Sequence, residues 1–148
     1  RSPTVTGVQT CALPISENPR ALFGLAVAYL NDRRWGNAAS LLNDFPPSPF
    51  YAAAERLLPL AEIMSAFDEG RLTFDEGTEA GLQFCSSIRF LSQGKKELAI
   101  ESLFELLKMD RAYGNGAARK LVVALLETLP PDNPTRETYR AELAKILF

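Results

Sequence analysis

Histidine is absent from the 148 residues, and this absence removes a whole set of chemistries. Imidazole is the usual base of serine triads and a common zinc ligand, so His-based acid–base catalysis, serine triads and the usual zinc sites are excluded. The acidic pairs Asp68-Glu69 and Asp75-Glu76 do not replace it, because neighbours on a helix point about 100° apart and both pairs flank a predicted loop. We interpret them as solvated surface. No catalytic, cofactor-binding or metal-binding residue is predicted, and an enzyme is the least favoured function.

Cysteine is nearly as scarce, with only Cys11 and Cys85. Cys11 lies in the stretch from Val5 to Ile15, VTGVQTCALPI, which is the translation of a constant primer used in preparing short-read sequencing libraries. We therefore interpret residues 1–16 as an adapter-derived artefact and exclude them from fold reasoning. Cys85 then has no partner for an internal disulfide, which favours a reducing cytoplasm. No CxxC motif accompanies it, so we expect a small buried hydrophobic residue.

Basic clusters and long apolar runs are missing as well. One of the 16 basic residues and none of the 18 acidic residues lies in residues 1–16, so the remainder carries a formal charge of −3. This mildly acidic balance lacks the footprint of a nucleic-acid or anionic-membrane partner. No apolar run approaches the roughly 18 residues that span a bilayer, and the one before Ser16 is too short for a secretory signal. We predict a cytoplasmic chain that binds neither nucleic acid nor membrane.

Helical periodicity is what the sequence has in quantity. In the first helix the apolar residues recur at i, i+3, i+4, i+7 and i+8, on one helical face: Leu22, Leu25, Ala26, Tyr29 and Leu30. Comparable sets predict about seven helices, the later six marked by Ala38 and Leu42, Leu57 and Met64, Phe84 and Ile88, Ile100 and Leu107, Leu121 and Leu125, and Tyr139 and Leu147. No window shows the period of two that strands require. We predict an all-α fold of antiparallel helix pairs.

Short signals mark the helix ends. Three helix starts place a side-chain acceptor before a proline: Asn18-Pro19, Ser48-Pro49 and Asn133-Pro134. Gly70 and Gly94 are expected to end helices, because glycine adopts the left-handed cap without strain. Gly114-Asn115-Gly116 lacks the preceding strand and the Ser/Thr of a phosphate loop, so we interpret it as a flexible lead into the sixth helix.

Two triplets of residues share a spacing of nine and then four: Tyr29, Ala38 and Leu42, and Phe90, Ala99 and Leu103. Both resemble the tetratricopeptide repeat pattern, in which a large residue on one helix and a small one on the next permit close packing. The match is incomplete, because the turn has Gly94 in the second unit but Arg33 in the first. The units also lie 61 residues apart, whereas a tandem array gives about 34. We predict two degenerate repeats with an inserted third helix.

The C-terminal part of the chain carries a more specific signature. It consists of Asp110, Arg111, Ala117, Ala118, Arg119, Lys120, Pro134, Tyr139 and Arg140, followed by Leu143, Leu147 and Phe148. Through these residues the sequence is similar to the C-terminal module of the bacterial thioredoxin-like co-chaperones known as YbbN or CnoX. The resemblance implies that residues 17–148 are a tetratricopeptide-like domain in a right-handed superhelical stack, and that an N-terminal thioredoxin-like domain is missing.

Most signature positions are interpreted as architectural. Asp110 and Arg111 are placed at the corner between the fifth and sixth helices, and Ala117 and Ala118 permit a close helix crossing. Arg119 is expected to lay its aliphatic stem along the apolar seam and to pair its guanidinium with a carboxylate.

The resemblance implies a holdase-like co-chaperone that captures unfolding client proteins and delivers them to the chaperonin system. Such binding depends on exposed apolar surface. On the last helix we predict a partner-binding strip made of Leu143, Ile146, Leu147 and Phe148. The alternative interpretation is that this strip caps the sixth helix, as terminal repeats require.

A generic tetratricopeptide-like scaffold that binds one specific protein partner is the alternative function. A specific peptide groove usually presents clustered Lys, Arg and Asn side chains that hold a carboxylate. The sequence predicts inner helix faces that are apolar, which favours the co-chaperone hypothesis over the specific scaffold.

Overall fold

The computed structural model describes residues 17–148, so the interpretation of residues 1–16, Cys11 included, lies outside the described residues. The described part folds into seven helices: α1 (Pro19–Asn31), α2 (Trp35–Asn43), α3 (Tyr51–Asp68), α4 (Glu79–Ser92), α5 (Lys96–Met109), α6 (Tyr113–Glu127) and α7 (Pro134–Leu147). Residues 17–148 contain no β-strand. The predicted all-α class with seven helices is confirmed. Within the same range, no helix combines the length and apolar character needed to cross a bilayer.

Asparagine caps begin the first and last helices as predicted. The Asn18 side chain accepts hydrogen bonds from the backbone N–H groups of Arg20 and Ala21 at 3.1 and 3.2 Å. The Asn133 side chain accepts one from Thr135 at 2.9 Å. These bonds satisfy N–H groups that have no partner within the helix, and the following proline lacks such a group.

The predicted cap at Ser48 is wrong. Helix α3 begins at Tyr51, and its N-cap residue makes no side-chain hydrogen bond. Ser48 instead closes a turn, in which its hydroxyl accepts from the Phe50 N–H at 3.2 Å and its carbonyl accepts from the Tyr51 N–H at 3.1 Å. The Phe50 ring packs on Phe23 of α1 with ring centroids 5.8 Å apart. Burial of this aromatic pair favours the turn over an earlier helix start.

Helix α3 joins the two helix pairs into one core. It packs against α2 of the first pair, against α4 and strongly against α6, while α7 packs against α5 and α6. Its inward face buries Leu57, Leu60 and Met64 almost completely. The predicted burial of Cys85 is confirmed, since the residue is only 6% exposed. The inserted helix is therefore a shared wall of the core.

The two repeat turns have the same conformation despite their different residues. Arg33 has φ of 60° and Gly94 has φ of 76°, so both occupy the left-handed region. Arg33 Nη1 donates to the Ser92 carbonyl at 3.1 Å, and its side chain lies over Gly94. The small residues expected at the helix crossings, Ala38 and Ala99, are fully buried. The departure from the repeat pattern at Arg33 thus leaves the turn intact.

The segment expected to be a flexible lead into α6 has a defined left-handed conformation. Gly114, Asn115 and Gly116 have φ values of 63°, 56° and 94°. The Gly116 N–H donates to the Ala112 carbonyl at 3.3 Å, which closes the turn. Glycine adopts this region without strain and asparagine tolerates it, so the sequence is suited to one left-handed turn before the right-handed helix resumes at Ala117.

Candidate functional site

A groove of about 690 Å³ runs between α3 and α6. Helix α3 supplies residues at the i, i+3, i+4 and i+7 positions of one face, and α6 supplies a second face. The lining residues are Ala52, Glu55, Arg56 and Pro59 of α3, Arg119, Lys120 and Val123 of α6, and Leu147 of α7.

A smaller cleft of about 230 Å³ extends this groove towards α7. Arg56 and Val123 line both, and the cleft adds Leu126, Glu127, Arg140 and Leu143. We call the two together the basic groove, because four of the lining residues are cationic and two are anionic. Its floor is apolar and its rim is charged, as in protein–protein interfaces, where a polar rim surrounds an apolar centre.

One carboxylate accepts hydrogen bonds from two guanidinium groups at the closed end of the basic groove. Glu127 accepts from Arg56 Nε at 2.7 Å and from Arg136 Nη2 at 3.2 Å. Arg136 is only 8% exposed and also donates to the Leu129 carbonyl at 3.1 Å. Its Nε has no hydrogen-bond partner among residues 17–148. This cluster connects α3, α6 and α7 and carries one uncompensated positive charge.

Cationic side chains at the open end add to this charge. Arg119 and Lys120 are exposed and form no ion pair within the described range. The expected carboxylate partner of Arg119 is therefore not found, because the residue lies on the groove side of α6 and not on the apolar seam. Together these charges make the groove electropositive, although the chain as a whole is mildly acidic.

Pro59 adds a polar feature to the α3 wall. Proline has no N–H, so the carbonyl of Glu55 has no helical donor four residues later. Both residues line the basic groove. The wall therefore combines the apolar proline ring with a backbone carbonyl that lacks its usual helical donor.

The predicted partner-binding strip is divided in the structure. Leu143 belongs to the core at 9% exposure, while Ile146 and Leu147 are partly buried against it and Phe148 is 99% exposed. Leu143 and Leu147 line the basic groove, whereas Ile146 does not. The structure thus brings two members of the strip to the groove and leaves Phe148 in solvent.

The other signature residues lie at helix ends and along α6 and α7. The Asp110 side chain accepts from the Ala112 N–H at 3.0 Å, and Arg111 Nη1 donates to the Leu147 carbonyl at 3.2 Å. Ala118 is fully buried. Ala117 is partly buried, and Pro134 is the first residue of α7. The Tyr139 ring packs on Phe104, and Arg140 Nη1 lies 3.9 Å from Glu137 Oε2.

Sequence reasoning missed Arg136 and Glu127, which hold the groove together. A signal for Arg136 was present, because it shares the i, i+3, i+7 face of α7 with Tyr139 and Leu143. That spacing places an arginine on the buried face, where it requires a counter-charge. Glu127 ends α6 and gives no such signal, since its two partners lie on other helices.

The opposite side of α7 bears an acidic cleft of about 380 Å³. It is lined by Glu101, Phe104, Glu105 and Lys108 of α5 and by Thr138, Tyr139 and Glu142 of α7. Burial raises the pKa of the Tyr139 phenol, and the negative charges of Glu101 and Glu97 raise it further. Helix α7 therefore separates a positive surface from a negative one.

A partly buried lysine joins three helix ends away from both surfaces. Lys96 Nζ donates to the Asn31 side chain at 2.6 Å and to the Thr128 hydroxyl at 2.8 Å. Burial lowers the pKa of Lys96, and the charge of Glu97 opposes that shift. We interpret Lys96 as a structural link between α1, α5 and α6. No group of three or more potential metal ligands occurs among residues 17–148.

The sequence profile of the tetratricopeptide repeat family matches residues 75–148. This range is half of the chain and contains α4 to α7. No curated protein and no solved structure gives a significant match.

Proposed function

The chain belongs to the tetratricopeptide repeat family, and from this premise we propose that it binds an acidic segment of a partner protein in the basic groove. Helix-pair folds of this family are protein-interaction scaffolds, and catalysis is not their usual role. The observation that carries the proposal is the cationic rim over an apolar floor, formed where α3, α6 and α7 meet.

The composition of the groove specifies the chemistry of the segment. Arg119 and Lys120 offer donors to carboxylates, and the shared Glu127 leaves one positive charge uncompensated. Apolar side chains of the segment would rest on Pro59 and Val123. This favours the specific scaffold over an apolar holdase surface, contrary to the expectation from sequence. Binding is expected to weaken with salt, because exposed ion pairs are screened.

Anisotropy titration with a matched pair of labelled peptides tests the proposal. One peptide alternates Glu with Leu, and the other replaces each Glu by Lys. The double variant Arg119→Glu/Lys120→Glu is expected to lose at least about tenfold in affinity for the acidic peptide, since two charge contacts become repulsive. The matched control is Arg20→Glu/Lys95→Glu, which makes the same charge change at two exposed positions outside the groove. Equal losses in both variants, or preference for the basic peptide, would refute the proposal.

The co-chaperone function implied by the family resemblance is the second candidate. Phe148 is 99% exposed and directly follows the groove residue Leu147 in sequence, and an exposed aromatic side chain favours capture of unfolded clients. Suppression of aggregation of a denatured client, followed by transfer to a chaperonin, would support it. Phe148→Ser is expected to weaken suppression without lowering the melting temperature. An unchanged suppression curve would remove Phe148 from the client site.

We further propose that residues 17–148 are one tetratricopeptide-like domain, that residues 1–16 are not native, and that the complete cytoplasmic protein carries an N-terminal thioredoxin-like domain. These proposals depend on the family resemblance and on the primer-like sequence of the first residues. Sequencing of the source DNA 5′ of the codon for Glu17 tests them. A different in-frame domain would leave the scaffold function without its co-chaperone context.

A further inference from the structure

The α5 wall of the acidic cleft continues along the helix as an exposed row of carboxylates. Glu97, Glu101 and Glu105 are exposed at positions i, i+4 and i+8, so they form one row along the helix. Leu98 lies on the same face and is 46% exposed. We call these four residues the acidic ridge. Of its three carboxylates, only Glu105 has an ion-pair partner within residues 17–148, namely Lys108 at 3.0 Å.

The acidic ridge combines negative charge with an apolar side chain, as the segment proposed to bind in the basic groove does. It offers carboxylates spaced by about 6 Å along a helix and one apolar side chain between them. The groove offers Arg119 and Lys120 on its rim and an apolar floor around Val123. The ridge and the groove of one molecule lie on different faces, because α7 separates the groove from the α5 side. The ridge of one molecule therefore cannot reach the groove of the same molecule, whereas the ridge of a second copy can.

We propose that the acidic ridge of one copy docks in the basic groove of a second copy, so that self-association competes with partner binding. This inference rests on the proposed function of the groove. Leu98 would contact the apolar floor, while Glu101 and Glu105 would face Arg119 and Lys120. The contact is heterologous, so an assembly that does not close into a ring has a free groove at one end and a free ridge at the other. Assemblies therefore grow with concentration and shrink in high salt.

Sedimentation velocity on the full chain, with charge reversal on each surface, tests the inference. The groove variant is Arg119→Glu/Lys120→Glu, and the ridge variant is Glu101→Lys/Glu105→Lys. Each variant alone presents two surfaces of like charge and is expected to remain monomeric at low salt, where the wild-type chain associates. An equimolar mixture of the two is expected to associate again, because each acidic surface of one variant meets a basic surface of the other. Misfolding of either variant cannot produce this rescue.

Two results would overturn the inference. One is a wild-type chain that stays monomeric at about 20 mM salt, where charge contacts are weakly screened. The other is a mixture of variants that does not associate. The acidic-peptide titration separates this failure from failure of the proposed function. Peptide binding without self-association leaves the groove function in place, and the ridge variant is expected to bind the peptide more tightly than wild type if the ridge competes.

Discussion

The carboxylate of Glu127 forms ion pairs with two arginines at the junction of three helices. Arg136 lies in this junction at 8% exposure and already has one N–H group without a partner. Its charged contact with Glu127 is therefore difficult to replace by water. The side chain of Arg56 is 48% exposed and can be solvated if Glu127 is lost. The stability of the basic groove thus depends more on the inner ion pair than on the outer one.

Glu127→Gln is expected to destabilise the fold by about 3 kcal/mol, because it leaves a buried guanidinium without its counter-charge. Urea unfolding followed by circular dichroism measures the change. The control is Glu137→Gln, whose carboxylate is 77% exposed and lies 3.9 Å from Arg140. That substitution is expected to cost less than about 0.5 kcal/mol. If both variants lose the same amount, Glu127 has no special role at this junction.

The same substitution, glycine to alanine, is expected to have opposite effects at two positions that differ in backbone conformation. Gly94→Ala is expected to destabilise the chain by about 1 kcal/mol, because its φ of 76° is unfavourable for a residue with a Cβ atom. Gly24→Ala is expected to stabilise it by about 0.5 to 1 kcal/mol, since Gly24 is in the middle of α1 and a Cβ there meets nothing within 4 Å. Thermal melts measure both. Effects of the same sign would contradict the assignment of the turn.

At the scale of the elements, local patterns in the sequence predicted most of the fold. The helices were predictable because each buries one face. The starts of α1 and α7 were predictable because the side chains of Asn18 and Asn133 cap them. The start of α3 was not, because it depends on the packing of Phe50 on Phe23. The basic groove was also missed, since Arg56 and Arg119 are far apart in sequence and only the packing of α3 on α6 brings them together.

The start of α6 depends on a left-handed turn that few residues can form. Gly116→Ala is expected to destabilise the chain by about 1 to 2 kcal/mol, because its φ of 94° lies in a region that a Cβ atom disfavours, although there is open space around it. Asn115→Gly is the matched control and is expected to be neutral or slightly stabilising, since φ there is 56°. Unfolding curves in urea compare them. A neutral Gly116→Ala would mean that the turn is not required.

At the scale of the whole molecule, α3 prevents the two helix pairs from behaving as independent repeats. A simple array of repeats contacts only its neighbours, and its parts can open separately. Here α3 follows the first pair in sequence but packs strongly against α6, beyond the second pair. The basic groove lies along this long-range contact. Loss of the contact would therefore abolish the groove together with the fold.

Leu57→Ala tests this coupling, because Leu57 is fully buried in the middle of α3. It is expected to destabilise the fold by about 3 kcal/mol through the cavity that it leaves. Native-state hydrogen exchange should then show the same loss of protection for the most protected amides of α1–α2 and of α4–α6, because both regions unfold in one transition. The control Leu82→Ala removes a side chain that is 51% exposed and should change protection little. If protection falls only in α1–α3, the molecule unfolds in parts, and the groove can open while α4 and α5 remain folded.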